Sequence, residues 1–407
     1  MRLGDARIGV LYPWPGLPGM DRGAARRVVP LLSVLAARVR SLEVLCPGAG
    51  EPLCAGNITY AFYRPNPAEK LFVDAAFQIF DGITHHAWGG RVPVDERRQW
   101  WHYLHPRLLP SLRREIGRLA ARSDVLMAEY PFWVDLLPGR SGSKPLVLSL
   151  HDVLSDRVSQ PWLRERVRRE ELSAIRRAQA VVCCSEADRN FYRARGVEAE
   201  CVPHAIRLER LTSPAPPAPD GGGFRMLARR RGEGATVCFF VGSSHQPNRE
   251  AVSEISGLAC KLREDPRFCF VVAGSCSAPG RTAANEIHLG PISEGELDWL
   301  YSVTDIVLVP LRSGTGTSFK TLEALARKKV LLSTSVGARG FPLESGRDAI
   351  ICDDSDQYPE ILCRLADSPE AREKLAEGGW KFAQKYDAGR VYEPYVEVVN
   401  RLLANLM

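Results

Sequence analysis

The run Gly314–Glu323 (GTGTSFKTLE) holds the residue types and spacing best suited to chemistry. Gly314, Thr315, Gly316, Thr317 and Ser318 form a loop of small residues, and helical spacing resumes from Ser318 to Ala326. Such a loop leaves backbone N–H groups free at the positive end of a helix dipole, where an anion binds well. Lys320 adds a cation just inside the helix, and Glu323, three residues on, shares its face. A cation for phosphate and a carboxylate for a sugar hydroxyl, one turn apart, suit a nucleotide-sugar. The competing reading is an ordinary glycine loop followed by a surface ion pair.

The elements that would position this loop are legible as apolar runs. Ile306–Val309 reads as a buried strand entering it, and Val330–Leu332 as the strand after the helix. The same alternation runs through the chain. Strands are expected at Arg7–Tyr12, Leu42–Cys46, Val125–Ala128, Leu146–Leu150, Ala180–Cys184 and Ala199–Val202, with helices at Gly23–Arg40 and Leu163–Ala178. The second half restarts with strands Val237–Val241 and Phe268–Ala273 and helices Asn248–Arg263 and Glu294–Val303. It closes with helices Tyr358–Ala366, Pro369–Tyr386 and Gly389–Leu406. This predicts an α/β protein of two Rossmann-like, doubly wound domains facing each other across a cleft at the carboxyl ends of their sheets. The run TSPAPPAPDGGG at 212–223 reads as a break between them. The expected organisation is a domain over 1–210, a Pro/Gly-rich linker over 211–235, a second domain over 236–385, and a C-terminal helix over 386–407 free to pack back on the first domain.

Composition bounds the function. The 407 residues are 45% hydrophobic and 25% charged, as in a soluble globular protein large enough for two domains. The N-terminus lacks the apolar core of a signal peptide, and no apolar run is long enough to span a bilayer, so a cytoplasmic location is expected. Eleven scattered cysteines, several inside apolar strands and none in a CxxC pair, read as buried thiols. Asp353-Asp354-Ser355-Asp356 precedes a helical stretch and reads as capping rather than metal binding. The net charge of +6 is modest, and no nucleic-acid motif accompanies it, so nucleic acid is not an expected partner. Between Leu71 and Arg122, Phe72, Phe77, Phe80, Trp88, Trp100, Trp101 and Tyr103 interleave with Arg97, Arg98, Arg107, Arg113 and Arg114. That mixture suits peripheral contact with the inner face of a membrane or with a lipid-linked acceptor, the alternative being an ordinary core under a solvated basic face.

Several segments in order (FFVGSSHQPNREAV, FVVAGS, and the run from Ile287 to Phe341) resemble the retaining GT-B glycosyltransferases of group 1, also called family 4. Weaker matches are the glycine turn of Gly19 and Gly23 before the first helix, SLHD at 149–152, and QAVVCCSEADRNFYRARGV followed by VPHAI. The resemblance implies a metal-independent transferase without a cofactor, moving a sugar from a nucleotide-diphosphate donor to a glycan, lipid-linked or small-molecule acceptor. It implies acceptor binding on 1–210, with Gly19 and Gly23 on the acceptor side, and donor binding on 236–385. It places Glu323 on the donor ribose, Lys320 and the loop Gly314–Ser318 on the diphosphate, Gly242 and Ser243 in a second phosphate-facing turn, and His151 against the transferred sugar. His151, Lys320 and Glu323 are the implied catalytic residues, although a strand-end histidine bonded to backbone is the plainer reading of His151. The chain departs from the pattern in three places: Thr315 stands where an acidic residue often contacts the sugar, Ser243 where an arginine is common, with Arg249 nearby, and His204-Ala205 where Asn-Gly is usual. A GT-B protein that binds a nucleotide-sugar or glycan without turnover, or a sugar-nucleotide epimerase, shares this architecture.

Overall fold

The computed structural model describes residues 1–19, 23–87, 92–139, 144–211, 216–280, 282–314 and 316–405. Its strands are the short apolar runs: β1 (Arg7–Leu11), β2 (Ser41–Pro47), β3 (Leu53–Ala55), β4 (Ile58–Tyr63), β5 (Val125–Glu129), β6 (Leu146–Leu150), β7 (Ala180–Cys183) and β8 (Glu200–Cys201), then β9 (Thr236–Val241), β10 (Phe268–Ala273), β11 (Thr282–Ala283), β12 (Glu286–Gly290), β13 (Ile306–Val309), β14 (Val330–Ser333) and β15 (Ile350–Ile351). The helices of the first part are α1 (Gly23–Ala36), α2 (Pro67–Ala87), α3 (Val94–Leu104), α4 (Pro110–Arg122), α5 (Pro161–Ile175), α6 (Glu186–Arg193) and α7 (Leu208–Leu211). Those that follow are α8 (Gly222–Gly232), α9 (Gln246–Lys261), α10 (Glu294–Val303), α11 (Phe319–Ala326), α12 (Ser335–Ala338), α13 (Tyr358–Asp367), α14 (Pro369–Ala383), α15 (Ala388–Val391) and α16 (Glu393–Ala404).

Two compact units result, one containing Ala24–Pro203 and the C-terminal Val391–Met407, the other His204–Arg390. Among the described residues the first unit holds a sheet of order β3-β4-β2-β1-β5-β6-β7-β8 and the second one of order β11-β12-β10-β9-β13-β14-β15. The neighbours pair in parallel, except for the short antiparallel pairs β3–β4 and β11–β12. Parallel strands are covered on both faces, so their side chains bury alternately into two layers. In β9, Val237 and Phe239 join one apolar cluster with Leu300 and Leu322, while Cys238 and Phe240 join another with Ile255 and Leu362. Polar caps start several helices: Ser185 accepts from the Asp188 N–H, Ser368 from that of Ala371, and Ser293 with Glu296 forms a reciprocal capping box.

The structure differs from the sequence expectations in identifiable places. The predicted linker 211–235 contains helix α8, with Phe224 and Leu227 buried. The glycines there do not all mean looseness: a Cβ on Gly223 would stand 2.6 Å from Leu289 Cδ2, so its absence lets α8 pack closely on the sheet. Residues 212–215 of that predicted linker lie outside the described residues. The hairpin β3–β4 and the helices α2 to α4 occupy a stretch for which the apolar pattern had indicated no elements.

Of the aromatic residues read as an interfacial surface, Phe72 stays exposed while the other described ones turn largely inward. Phe77 and Phe80 pack on Trp101, Phe80 also on Trp100, and Tyr103 is buried against Phe132. Arg97 is buried and paired with Asp81 at 2.6 Å, and Arg107 bonds Glu170 at 2.6 Å. Trp88 lies outside the described residues. The acidic run acts in capping: Asp353 accepts from the Ser335 N–H at 2.8 Å and Asp354 from that of Asp356 at 3.0 Å.

Gly274 shows where the fold tolerates no side chain. Its φ is +94°, and a Cβ there would lie 2.1 Å from the Gly242 carbonyl oxygen. Gly257, within α9, has nothing within 4 Å of the same added atom. Gly274→Ala is therefore expected to destabilise the second unit by about 3 kcal/mol, and Gly257→Ala to be neutral or stabilising by up to about 1 kcal/mol. Thermal unfolding of both variants checks this, and equal midpoints would refute the packing assignment.

Candidate functional site

In the second unit two loops leave the carboxyl ends of adjacent strands. β9 and β13 pair in parallel through Ile306↔Cys238 and Val307↔Phe239. The loop after β9 begins at Gly242 and the loop after β13 runs to Ser318, so sheet order alone makes them neighbours. A Cβ on Gly314 would lie 3.8 Å from Pro247, which confirms their approach. Carboxyl ends of parallel strands are where ligands bind in such sheets.

Asn248 joins the two loops. Its Nδ2 donates to the Ser243 carbonyl at 3.0 Å and to Ser243 Oγ at 3.1 Å, and its Oδ1 accepts from Lys320 Nζ at 2.6 Å. A Cβ on Gly242 would stand 2.9 Å from Asn248 Cβ, so glycine permits this arrangement. Lys320 Nζ lies 4.6 Å from the centre of the Phe240 ring. Burial pushes the Lys320 ammonium down to about 8, with Cys276 pulling the other way. The cation thus faces little countercharge and is poised to gain from an arriving anion.

The glycine loop is held from behind by Arg339. Its guanidinium donates to the Gly316 carbonyl at 3.1 Å and to that of Gly314. In a trans peptide the N–H points opposite to the C=O, so the Thr317 N–H is turned away from Arg339. Gly314 and Gly316 have φ of 128° and 70°, a region that favours glycine. Thr317 Oγ1 and Ser318 Oγ are buried, and neither has a hydrogen-bond partner among the described residues. Ser318 occupies the N-cap position of α11 without making the side-chain cap its type usually makes. Two buried hydroxyls with no partner among the described residues, the first N–H groups of a helix and a desolvated ammonium thus fall within residues 317–320 at one helix start. Thr315 lies outside the described residues.

Lys320 and Glu323 share α11 but do not pair in the way a surface ion pair would. Glu323 is buried, accepting from Tyr301 OH at 3.3 Å and lying 3.5 Å from the Arg327 guanidinium. Lys320 points to Phe240 and Asn248, Glu323 to Tyr301 and Arg327. Arg249 donates to the Ser244 carbonyl and so sits against the first loop, beside Ser243. His204 meets Phe319, the first residue of α11, edge to face at 6.2 Å.

The first unit carries its own buried polar cluster at strand ends. Glu129 ends β5, and its Oε2 lies 2.7 Å from Nε2 of His151, which follows β6. Ser149 Oγ donates to Glu129 Oε1 at 2.9 Å and is 2.7 Å from Tyr395 OH on α16. Burial works to raise the Glu129 carboxyl, but the His151 hydrogen bond and the charge of Arg27 prevail and hold it below its ordinary value. Burial lowers His151, with the Glu129 hydrogen bond opposing and Arg27 reinforcing. An ionised carboxylate only accepts, so the neutral imidazole carries its proton on Nε2 and leaves a lone pair on Nδ1. The ring stacks on Tyr130 at 4.2 Å, and Tyr130 has a φ of 78°, a strained value for a bulky residue. Arg27 is fully buried, donates to the Cys184 thiol, and has Nε and Nη2 without a partner among the described residues. Gly23 opens α1, while the residues between it and Gly19 lie outside those described.

Sequence reasoning missed Asn248, Arg339, Glu129, Tyr130 and Arg27. A carboxylate ending the apolar strand VLMAE was a usable signal for Glu129, because strand ends face the ligand side of such sheets. Nothing in the spacing of Asn248 or Arg339 marks them, since each acts across a loop pairing that only the sheet order creates.

Residues 22–210 match the family described as Glycosyltransferase Family 4, and residues 235–368 match Glycosyl transferases group 1. Among solved structures the chain is similar to sucrose-phosphate synthase from Thermosynechococcus elongatus, with a TM-score of 0.72 and 14% identity over 98% of this chain and 100% of that one. It is similar to α,α-trehalose 6-phosphate synthase from Burkholderia multivorans (TM-score 0.72, 14% identical, 99% of this chain and 100% of that one). It is similar also to Anabaena HepE in complex with UDP-glucose (TM-score 0.68, 14% identical, 97% of this chain and 100% of that one). At such identities the likeness speaks for the fold, which is GT-B. An uncharacterized 44.6 kDa protein in the cps region of Klebsiella pneumoniae is 25% identical over 173 residues, 38% of this chain. That match spans 43% of the relative's own length, less than half.

The depressed Lys320 leads to a signed expectation. Its folded-state value near 8 means the ammonium is charged at neutral pH and loses its proton as pH rises through about 8. Binding of a diphosphate anion to the loop should therefore be strongest below that pH and weaken above it. Isothermal titration between about pH 7 and pH 9 measures the slope. Lys320→Met should flatten it and weaken neutral-pH binding by about 2 kcal/mol.

Proposed function

Because the chain belongs to the family 4 and group 1 glycosyltransferases, we propose that it moves a sugar from a nucleotide-diphosphate donor held by the second unit to a glycan, lipid-linked or small-molecule acceptor, with retention of anomeric configuration. The observation that carries the donor reading is the helix start at residues 317–320, with two buried hydroxyls that have no partner among the described residues and a desolvated ammonium. Negative charge grows on the departing diphosphate as the glycosidic bond breaks, and fixed dipoles with a cation stabilise that charge without reorganising. Lys320 and the first turn of α11 supply this function, so the reaction needs no metal to balance the leaving group. Glu323 receives the ribose hydroxyls, a role that calls for its carboxylate to exchange a contact with Tyr301 or Arg327 for the ligand.

Retention follows if the leaving phosphate oxygen takes the proton of the incoming hydroxyl on the face it vacates. No protein nucleophile is then required, and the protein's contribution is alignment. The neutral His151, with its acceptor lone pair and its ring held against Tyr130, suits contact with a sugar hydroxyl rather than proton transfer to the leaving group. Uridine diphosphate is the first base to test, since the Anabaena protein was solved with UDP and UDP-glucose.

A second reading is a GT-B protein that binds a nucleotide-sugar without turnover. Ser243 favours it, because its hydroxyl is committed to Asn248 where many relatives would place an arginine. A thermal-shift screen of nucleoside diphosphates and their sugars separates the outcomes. At least one is expected to raise the midpoint, and the wild type to hydrolyse or transfer the corresponding sugar. Glu323→Ala should lower affinity for that nucleotide by about 2 kcal/mol while an inorganic diphosphate still binds. No shift with any nucleotide would sink the donor reading, and binding without turnover would support the second one.

A further inference from the structure

Helix α2 carries an apolar face that no described residue of its own unit covers. Of the large apolar side chains left open to solvent, Leu71, Phe72, Ile79 and Ile83 lie on this one helix, at 72%, 57%, 63% and 63% exposure. Phe72, the exposed Ala75, Ile79 and Ile83 recur every three or four residues and so share one side, with Leu71 next to Phe72 at its edge. The opposite side is anchored: Phe77 and Phe80 pack on Trp101, and Asp81 receives Arg97 of α3 at 2.6 Å. The exposed side is therefore a fixed surface on a pinned helix. Exposed apolar side chains gathered in this way mark an interaction site.

Charge decides what that site faces. The stretch 64–122 has ten Lys and Arg against six Asp and Glu, so it holds most of the excess that makes the chain +6. Lys70, Arg98, Arg113 and Arg114 are exposed. Two of them are demonstrably beside α2: the Arg98 guanidinium is 5.8 Å from the Phe77 ring centre, and Arg114 acts on the charge of Glu69 in the helix's first turn. Asp74 is exposed on α2 as well, so the basic excess comes from the flanks rather than from the helix itself.

We infer that the outer face of α2 docks on an anionic lipid bilayer, its apolar side chains entering the headgroup boundary while the flanking basic residues meet lipid phosphates. A helix of 21 residues lying flat presents about 30 Å of such a face. Among the described residues no helix is long and apolar enough to cross a membrane. A bilayer accepts a shallow ridge of isolated apolar side chains without shape complementarity, and an acidic surface matches the basic flanks. A second copy of the chain would bring the same positive charge to the contact and is disfavoured for that reason. The inference is independent of the donor reading.

The test is flotation of the full chain with vesicles of equal phosphatidylglycerol and phosphatidylcholine, and with phosphatidylcholine alone. Binding is expected to the anionic vesicles and to weaken as salt is raised. The triple variant Phe72→Ser, Ile79→Asn, Ile83→Ser should bind about tenfold more weakly, with an unchanged thermal midpoint, since the side chains removed are already in solvent. The triple variant Lys70→Glu, Arg113→Glu, Arg114→Glu should lose binding to the anionic vesicles to a similar degree. Failure of the wild type to float with anionic vesicles, or an apolar variant that floats as the wild type does, overturns the inference. Sedimentation showing a wild-type dimer that the apolar variant dissolves would assign the face to a second copy and overturn it equally.

Discussion

The parallel pairing of β9 with β13 is the constraint on which the second unit's chemistry depends. Those strands come from segments about seventy residues apart in sequence, yet their pairing sets the Gly242 and Gly314 loops side by side. Everything else at the site answers to that placement. Asn248 spans the gap because both loops end within reach of one amide, Gly274 stays bare because the Gly242 carbonyl occupies the space of a side chain, and Arg339 turns the second loop by gripping its carbonyls. An ammonium held between an amide oxygen and an aromatic face, away from a full countercharge, is costly until an anion arrives. The cost is consistent with a site shaped for a bound state.

The first unit solves a different electrostatic problem. Glu129, His151 and Arg27 are all buried at the ends of parallel strands or beside them. Such a cluster persists only when its members satisfy one another, and here a carboxylate, a neutral imidazole and a guanidinium do so in part. The C-terminal helix α16 completes it, with Tyr395 reaching Ser149 and Tyr392 donating to the Arg27 carbonyl at 3.1 Å. The start of α16 thus closes a polar network that also includes Arg27 of α1. The strained Tyr130 backbone belongs to the same place, where stacking on His151 holds it.

The match to the family 4 and group 1 glycosyltransferases and the fold agree with what the ordered motifs imply on those two points. Positions fixed by short local spacing were readable: Gly242 follows β9, Gly314 and residues 316–318 lie between β13 and α11, and Lys320 and Glu323 lie in α11, as the pattern indicated. Readings that depended on which way a side chain turns fared worse. Phe77, Phe80, Trp100, Trp101 and Tyr103 had the composition of an interface, but most of them pack against one another, and the surface left exposed is that of Leu71, Phe72, Ile79 and Ile83 on α2. Composition records the polarity of a segment, whereas exposure depends on which neighbours the fold supplies.

By itself the sequence determined the strand and helix alternation, the glycine loop entering α11 and the cation in its first turn, because period, breakers and helix polarity are properties of a few consecutive residues. Only the tertiary structure decided that Lys320 and Glu323 would part company toward Phe240 and Tyr301, that Asn248 would bridge two loops, and that Glu129 would grip His151. Each of these contacts joins segments distant along the chain, and their meeting is set by strand order and by the balance of burial against hydrogen bonding. No local pattern encodes that balance.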